Sequence, residues 1–388
     1  MEQQSVRTTY HYKLMPTPEQ VRAMETVLLR CRSLYNCALE QRKTWWGRGQ
    51  GIGATYYQQA NELPDLKADC PDYREVHSQV LQDVLRRVEK TYQAFFRRVP
   101  TGETPGYPRF QGKNRYHSFT YPQYGNGAVV DGGILSLSKI GRIPIRLHRL
   151  LQGTPKLVTI SRVADGWYVS FSCAEVPIPP LPRTGRETGI DVGLKVFLIT
   201  ADGDIVDNPR HHRKAEQGLK KAQRCVSRRK KGSKRWWKAV GQCAKKYQKV
   251  KRQRSDFHHK TALTLVRAYD TIYLEDLQVR TMVRNHHLAK SISDAGWAAF
   301  PTILAYKAEW AGRRVMAVPA QFTSQDCSGC GERVSKSLSV RTHVCPSCGL
   351  VMDRDENAAL NILASGRAGP SGVNVAGCGE RRLRSPAL

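Results

Sequence analysis

Two stretches near the N-terminus carry apolar residues at helical spacing, which predicts two helices that each turn one face towards a core. The first follows Thr17, a favourable N-cap, with Pro18 at the first helical position and Gln20 able to complete a capping box. Its apolar stripe comprises Val21, Met24, Val27, Leu28, Cys31, Leu34 and Tyr35. The second spans residues 73–98, with a stripe formed by Val76, Val80, Leu81, Val84, Leu85, Val88 and Tyr92.

Shorter segments in which apolar and polar residues alternate predict a small antiparallel β-barrel. The weakly alternating residues 8–14 are expected to contribute one of its strands. Residues 100–127 are rich in Gly, Pro, Tyr and basic residues, which predicts a connector whose aromatic rings can stack on nucleic-acid bases. The other predicted strands are separated by turns such as Asp-Gly-Gly and Ala-Asp-Gly, and they cover residues 128–130, 134–137, 143–147, 157–163 and 167–173.

The second half of the chain follows an α/β pattern. Residues 188–200 and 271–277 are apolar enough to predict buried strands, residues 300–310 predict an amphipathic helix, and residues 315–318 predict a further strand. A proline-rich stretch at residues 176–182 precedes this half, and we expect it to be a stiff linker.

The charge of the chain indicates a polyanionic partner. The sequence holds 62 Lys or Arg against 33 Asp or Glu, a net charge of +29. Residues 209–260 alone contain twenty Lys or Arg and two acids, with helix formers on both sides of a Lys-Gly-Ser break. This predicts a basic helical hairpin that contacts nucleic acid at Arg228, Arg229, Lys230 and Lys231, the alternative being a merely solvated loop.

Other features of the sequence favour a cytoplasmic protein. It has no run of about 18 apolar residues that would span a membrane. The first residues lack the apolar core of a signal peptide, so we expect none. Most of the eleven cysteines are scattered rather than paired, which is typical of a reducing compartment.

Four of the cysteines have the spacing of a metal site. Cys327 and Cys330 form one Cys-x-x-Cys pair, and Cys345 and Cys348 form a second after fourteen intervening residues. Two such pairs can supply the four thiolates of one structural Zn²⁺. Two disulfides are the alternative, which the expected reducing compartment disfavours.

Three acidic residues are candidate metal ligands, although a carboxylate at a helix start, such as Asp355, is usually a cap. Asp191 and Glu275 lie in the predicted apolar strands, and Asp355 begins a predicted helix after the cysteine pairs. A carboxylate within an apolar strand is costly to bury unless it is paired or bound to metal. Each one alone is more often structural, but together they would supply oxygen ligands for two catalytic Mg²⁺ ions.

The residues around these acids carry a family resemblance. Gly-Ile-Asp-Val-Gly at 189–193, Leu-Glu-Asp-Leu at 274–277 and Asp-Arg-Asp-Glu-Asn-Ala-Ala-Leu-Asn-Ile at 353–362 resemble the three motifs of a RuvC-type, RNase H-like nuclease. With the cysteine pairs placed before the third motif, the chain resembles the TnpB family of RNA-guided nucleases, which insertion sequences encode and which is related to type V CRISPR effectors. By motif position, Asp191, Glu275 and Asp355 fall on the family's catalytic carboxylates, and the choice of Asp355 over Asp353 follows from the family.

The resemblance also implies a fold and a domain order. We expect a wedge β-barrel at 1–16 and 125–180 that carries a helical recognition insert at 17–124. An α/β RNase H-like (RuvC) nuclease domain would follow at 186–326 and 350–366, with its basic hairpin at 209–268, an inserted zinc ribbon at 327–349 and a disordered tail at 367–388.

The expected function is an RNA-guided DNA endonuclease of a transposable element, in the bacterial cytosol or nucleoid, with one protein chain for each guide RNA. Base pairing would select double-stranded target DNA, and the protein would recognise a short adjacent motif. The competing hypotheses are a nuclease-inactive RNA-guided DNA-binding regulator, which the intact acids disfavour, and a strand-transfer transposase. The ribbon's position and the absence of a separate helix-turn-helix pattern disfavour the transposase. The residues expected at the adjacent motif are Tyr56, Ser78, Gln79, Gln82, Thr120 and Tyr121.

Overall fold

A computed structural model describes residues 5–47, 54–112, 114–178, 181–337, 340–369 and 373–374. The chain divides into two compact units, Met1–Pro177 and Ile178–Leu388, and the break falls within the proline-rich stretch. No helix in the described part of the chain is long and apolar enough to cross a membrane.

The first unit combines one sheet with a set of helices. Its helical elements are α1 (Pro18–Gly47), α2 (Tyr56–Asn61), α3 (Leu63–Asp69), a 3₁₀ helix (Pro71–Glu75) and α4 (Ser78–Arg98). Its strands are β1 (Ser5–Leu14), β2 (Ser118–Tyr121), β3 (Ala128–Asp131), β4 (Ile134–Leu137), β5 (Gly141–Arg146), β6 (Thr154–Val163) and β7 (Gly166–Pro177).

The strands of this unit form a seven-stranded antiparallel sheet in the order β2-β6-β7-β1-β5-β4-β3. β1 buries every second residue, as the alternation predicted: Thr8, Tyr10, Tyr12 and Leu14. Among the described residues no ladder joins the edge strands β2 and β3, so the sheet is nearly but not fully a closed barrel.

Strand β2 lies in the segment that we predicted to be a connector. It pairs with β6 from Ser118 opposite Ser161 to Tyr121 opposite Val158, and it buries Phe119. A strand of four residues is too short to show a clear alternating pattern. The Gly, Pro and basic residues on either side of it made the whole segment resemble a connector. Tertiary packing against the sheet therefore determined the strand.

The two predicted helical stripes are buried. In α1 the capping box is present, since Gln20 accepts the N–H of Thr17 at 3.0 Å and donates its own N–H to the Thr17 hydroxyl at 3.3 Å. α4 packs on α1 and starts at Ser78, because residues 71–75 form the separate 3₁₀ helix. The α4 residues in the core are Val80, Leu81, Val84, Leu85 and Val88.

The second unit has a mixed sheet with helices around it. Its helices are α5 (His211–Ser227), α6 (Lys234–Ala268), α7 (Val279–Met282), α8 (His286–Ala295), α9 (Phe300–Trp310) and α10 (Arg354–Arg367). Its strands are β8 (Glu187–Val192), β9 (Val196–Thr200), β10 (Ile205–Asp207), β11 (Thr271–Glu275), β12 (Arg314–Val318), β13 (Thr342–Val344), β14 (Val351–Asp353) and β15 (Val373–Asn374).

The order of this sheet, β10-β9-β8-β11-β12-β15, determines where the acidic residues lie. β8, β11 and β12 are parallel, whereas β9, β10 and β15 are antiparallel to their neighbours. The carboxyl ends of parallel strands meet at one edge of a sheet, so the ends of β8 and β11 are close together. The first four of the five residues of β11 are buried, as expected for a parallel strand covered on both faces.

The predicted basic hairpin consists of α5 and α6, which pack against each other and are joined by residues 228–233. Ser233 begins α6 by accepting the N–H of Trp236 at 3.1 Å. Gly232 turns the chain with a φ of +86°, a conformation that other residues seldom adopt.

The predicted disordered tail lies mostly outside the described residues, so that part of the prediction remains untested. α10 extends to Arg367, and Val373–Asn374 pair with Ala317 and Met316 as an antiparallel edge of the sheet. The sequence did not predict this last strand.

Candidate active site and cysteine cluster

The four cysteines of the two Cys-x-x-Cys pairs converge, with all four sulfurs within 4.8 Å of one another. The Sγ atoms of Cys327 and Cys348 are 3.6 Å apart, and those of Cys330 and Cys345 are 3.5 Å apart. The thiols are free, and these separations far exceed the roughly 2.05 Å of a disulfide bond. The cluster can therefore hold a metal ion, and the disulfide alternative does not fit.

Tight turns form each half of the cluster. The N–H of Gly331 donates to the carbonyl of Cys327 at 2.8 Å, and the N–H of Gly349 donates to the carbonyl of Cys345 at 3.0 Å. Both glycines have a φ above +70°, a backbone conformation that is strained for a residue with a side chain. A hydrogen bond from the N–H of Cys348 lowers the pKa of Cys345 to about 6, so this sulfur is readily a thiolate.

Two asparagines of α10 connect this cluster to the sheet domain. The buried Asn357 accepts the N–H of Ser328 at 2.9 Å and donates to the carbonyl of Asp326 at 2.8 Å. Asn361 donates to the carbonyl of Thr323 at 2.8 Å. The helix that carries Asp355 is thereby fixed to the segment that leads into the first cysteine pair.

Asp191 and Glu275 lie side by side at the carboxyl ends of β8 and β11. The preceding residues Ile190 and Leu274 are paired in the parallel register, so the two acids follow as neighbours. Burial, with the negative charges of Glu275 and Asp355, raises the pKa of Asp191 to about 8. Burial also raises the pKa of Glu275, whose carboxylate accepts a short hydrogen bond from the Thr323 hydroxyl.

Asp355 lies in the first turn of α10 and is 7% exposed. The guanidinium of Arg341 donates to its two oxygens at 3.0 and 3.3 Å, and Arg354 donates to Oδ1 at 3.1 and 3.2 Å. The sequence indicated no role for Arg341 or Thr323, which lie outside the three motifs, or for Arg354, which lies within the third motif.

Close backbone packing positions Asp355 beside the end of β8. A Cβ atom on Gly189 would lie 2.2 Å from the carbonyl oxygen of Ala359, and one on Gly366 would lie 2.1 Å from the Tyr273 ring. Only glycine allows α10 to lie this close to the sheet. As a result, Oδ2 of Asp355 lies 3.9 Å from the point that a Cβ atom on Gly193 would occupy. Gly193 follows Asp191 by two residues.

The three acids form an open site. In the described part of the chain, only the four cysteines form a group of three or more His, Cys, Asp or Glu with ligand atoms within 4.8 Å of one another. The donor set nevertheless suits divalent cations, because three carboxylates converge, and burial together with their mutual repulsion raises the pKa of Asp191. A bound cation would remove that repulsion.

Four of the predicted DNA-contacting residues line the surface near the start of α4. Tyr56 is half-buried, and its hydroxyl accepts a hydrogen bond from Arg86 at 3.2 Å. Ser78 is exposed and accepts a hydrogen bond from Lys67 at 2.6 Å, whereas Gln79 and Gln82 are half-buried. A buried amide oxygen of Gln79 has no partner among the described residues.

The structure places the other two in the interior. Thr120 contacts Arg87 at 2.8 Å and Thr159 at 3.0 Å through its hydroxyl. Tyr121 is 1% exposed, and its hydroxyl donates to the carbonyl of Ser138 at 3.3 Å. A core side chain with an internal hydrogen bond cannot reach a partner unless it moves, so direct reading of DNA by Tyr121 fits this structure poorly.

The four basic residues predicted to contact nucleic acid lie at the turn of the α5–α6 hairpin. All four are exposed, and none forms an ion pair with a residue that the structure describes. They are Arg228, Arg229, Lys230 and Lys231.

Comparison with known families matches three separate parts of the chain. Residues 170–286 match the family OrfB_IS605, described as "Probable transposase", and residues 297–362 match "Cas12f1-like, TNB domain". Residues 1–51 match a family described as "Helix-turn-helix domain", although residues 5–47 here form one strand and one long helix.

Curated relatives extend over most of the chain. A Streptomyces pristinaespiralis protein named "Putative RNA-guided DNA endonuclease" is 36% identical over 94% of this chain and 90% of its own length. The Escherichia coli K12 protein "Putative RNA-guided DNA endonuclease InsQ" is 28% identical over 96% of this chain and 94% of its own length. The chain therefore belongs to the TnpB (OrfB_IS605) family, as its motifs indicated.

Solved structures show the same fold at low sequence identity. The Cas12f1–sgRNA–target DNA complex aligns with a TM-score of 0.54 and 14% identity, covering 89% of this chain and 82% of that one. The mini-RNA-guided endonuclease CRISPR-Cas_phi3 aligns with a TM-score of 0.51 and 10% identity, covering 95% and 93%.

Proposed function

We propose that this protein is an RNA-guided DNA endonuclease that cuts double-stranded target DNA beside a short adjacent motif. The observation that carries the proposal is the convergence of Asp191, Glu275 and Asp355 at one edge of the sheet. Family membership and the names of the relatives support the same activity. The fold would be of the RNase H-like (RuvC) type, with the protein acting as one chain per guide RNA in the bacterial cytosol or nucleoid.

Two Mg²⁺ ions would be held by the three carboxylates. When bound, such a pair activates a water and stabilises the departing oxygen of an in-line displacement. The residues of the chain orient these ligands: Thr323 donates to the carboxylate of Glu275, and Arg341 and Arg354 donate to that of Asp355. Arg341 adds a positive charge beside Asp355, where a phosphate of the substrate would be attracted.

The metal of the cysteine cluster would be one structural Zn²⁺. A tetrahedral zinc with bonds of about 2.3 Å places its sulfurs about 3.8 Å apart. The observed separations of 3.5 and 3.6 Å between paired sulfurs are close to that value. Four thiolates leave no open position for a substrate, so this ion would stabilise the fold and take no part in cleavage.

The basic hairpin turn would bind the guide RNA, and the surface at the start of α4 would recognise the adjacent DNA motif. Exposed cations without acidic partners suit phosphate groups. The exposed Ser78 and the half-buried Gln79 and Gln82 carry side chains that can hydrogen-bond to base edges, with Tyr56 alongside.

A cleavage assay beside a binding assay tests the function. RNA that copurifies with the protein is sequenced, and a matching target is offered to the wild type and to Asp191→Ala. We expect the wild type to cut, and the variant to bind the same target without cutting. Cutting that needs no RNA would overturn the guided mechanism.

Strand transfer is the second candidate, because the matched family is described as "Probable transposase". It predicts joined DNA products when a donor end is supplied together with the target. Cleaved ends without joined products would support the nuclease.

A further inference from the structure

We propose that a basic cavity at the β8–β9 turn, which follows Asp191, binds the phosphodiester backbone of the DNA strand being cut. This proposal rests on the nuclease function above. The cavity has a volume of about 250 Å³, and its lining includes Lys195, Arg210, Arg213 and Lys290. Pockets for drug-sized ligands or cofactors measure about 300–1,000 Å³, so this one suits a phosphate with its sugar.

Asn208 connects two segments of the cavity wall. Its side-chain amide donates to the carbonyl of Leu194 at 3.1 Å, which ties it to the β8–β9 turn. Its amide oxygen accepts the N–H of Arg210 at 3.2 Å. Arg210 has a φ of +49°, which is uncommon for a residue other than glycine, and the bond from Asn208 supports this conformation. The cavity is thus formed by a fixed backbone.

The acid in the cavity wall, Asp294, hydrogen-bonds to backbone groups rather than to a cation. Asp294 accepts the N–H of His212 at 2.8 Å and the N–H of Arg213 at 3.1 Å, so its carboxylate caps the start of α5. Lys290 is paired with Glu216 at 2.6 Å.

Three cations therefore remain for a ligand. The side chains of Lys195, Arg210 and Arg213 are exposed and have no acidic partner among the residues that the structure describes. The cavity wall thus holds these three cations against the one carboxylate of Asp294, and the net positive charge attracts an anion.

The position of Lys195 favours DNA as the source of that anion. Lys195 follows Asp191 by four residues, which puts their Cα atoms within about 14 Å even for an extended chain. A few nucleotides cover that distance. Arg228, in the predicted guide-binding turn, is fifteen residues beyond Arg213 along α5, or about 22 Å at ~1.5 Å per residue. The cavity is therefore close to the cutting site and distant from the predicted RNA contact.

The test removes two cavity charges in Lys195→Gln/Arg213→Gln. Both side chains are exposed, so folding should be unaffected. The matched control is Arg183→Gln/Arg314→Gln, which removes two exposed charges of the same unit at the amino ends of β8 and β12, opposite the carboxylates.

We expect single-turnover cleavage to slow by about tenfold in the cavity variant and to stay unchanged in the control. In an Asp191→Ala background, the affinity for a single-stranded DNA oligonucleotide should fall and depend less on salt. The slope of log K against log salt should become shallower by about 1.4 for two lost contacts. Guide RNA affinity should remain within twofold, and Lys195→Arg should cleave at the wild-type rate.

Each other outcome counts against the proposal. An unchanged cleavage rate and salt slope would show that the cavity binds no backbone, and a loss of guide RNA affinity would assign the cavity to RNA. Failure of Lys195→Arg would indicate that packing matters rather than charge. If the wild type cut no target, the proposed nuclease function would be wrong. The oligonucleotide affinities would still show whether the cavity binds a DNA backbone.

Discussion

The side chain of Asp353 accepts the backbone N–H of Asp355 at 2.8 Å, which makes it the N-cap of α10. Asp353 is exposed, whereas Asp355 is buried and contacted by Arg341 and Arg354. Two acids two residues apart therefore have different roles. The first begins the helix, and the second directs its carboxylate towards the ends of β8 and β11.

This difference predicts opposite results for two neighbouring substitutions. Asp355→Ala should abolish DNA cleavage and keep guide-dependent binding of the target. Asp353→Ala should keep most of the cleavage and lose about 1 kcal/mol of stability, the usual effect of removing an N-cap. Cleavage rates and chemical denaturation measured on both variants check this.

The control for the cap is Asp353→Ser, because serine also accepts an N–H at the start of a helix. It should retain the stability that alanine loses. Robust cutting by Asp355→Ala, or complete loss of cutting in Asp353→Ser, would reverse the assignment of the two residues.

Arg341 is the second residue for which the structure makes a prediction. One guanidinium nitrogen of Arg341, Nη1, contacts both oxygens of Asp355, and a lysine would keep this charge but not the planar group that carries it. We expect Arg341→Ala to cut at least tenfold more slowly with target binding unchanged, and Arg341→Lys to recover only part of the rate. Arg333→Ala is the control, since Arg333 pairs with Asp326 on the exposed part of the cysteine-bearing segment. Equal effects of the two alanine variants would contradict a specific role.

The sequence predicted the acids but not the groups that position them. Asp191 and Glu275 were recognisable because a carboxylate in an apolar strand is rare. Arg341 and Thr323 were not recognisable. Arg341 is 14 positions from Asp355 and Thr323 is 48 positions from Glu275, so both contacts depend on tertiary packing. The glycines that let α10 approach β8 were visible as letters, yet only the structure shows which backbone atoms they face.

In the first unit, too, the sequence predicted the long elements correctly and missed a short one. The stripes of α1 and α4 are long enough for periodicity to determine the helix and its buried face. Strand β2 has four residues, and Tyr121 within it resembled an exposed aromatic of a connector. Its burial follows from pairing with β6, which is distant in sequence.

The cysteine cluster should be required for the stability of the second unit. Metal binding to four thiolates contributes free energy to folding, so Cys345→Ser should lose the ion and lower the unfolding temperature. The control is Cys225→Ser, an exposed thiol outside the cluster. Elemental analysis and thermal unfolding of the full chain measure both effects. Active wild-type protein without zinc would contradict the prediction.

His258 should make stability depend on pH. Burial lowers its pKa to about 4, while its ring contacts the carbonyl of Ala295 at 2.8 Å. Arg254, His259 and His211 oppose a further positive charge there. An unfolded histidine takes up its proton near pH 6.5, so the folded state loses up to about 3 kcal/mol as the pH falls from 6.5 to 4.

Chemical denaturation at several pH values tests this expectation. His258→Gln should flatten the loss of stability between pH 6.5 and 4, whereas the exposed His287→Gln should leave it unchanged. The same pH dependence in all three proteins would show that other groups cause it.

The turn of the basic hairpin gives the last prediction. Arg228, Arg229, Lys230 and Lys231 are exposed and have no acidic partner in the described part of the chain, so each can release counterions when it binds a phosphate. Changing all four to glutamine should weaken guide RNA binding and reduce the slope of log K against log salt by about 0.7 to 0.9 per lost contact. The turn itself should persist, because Ser233 still caps α6 and Gly232 still supplies the positive φ. Circular dichroism confirms that the helices remain, and filter binding across salt concentrations gives the slope. An unchanged slope would mean that these side chains are only solvated and that the guide RNA binds elsewhere.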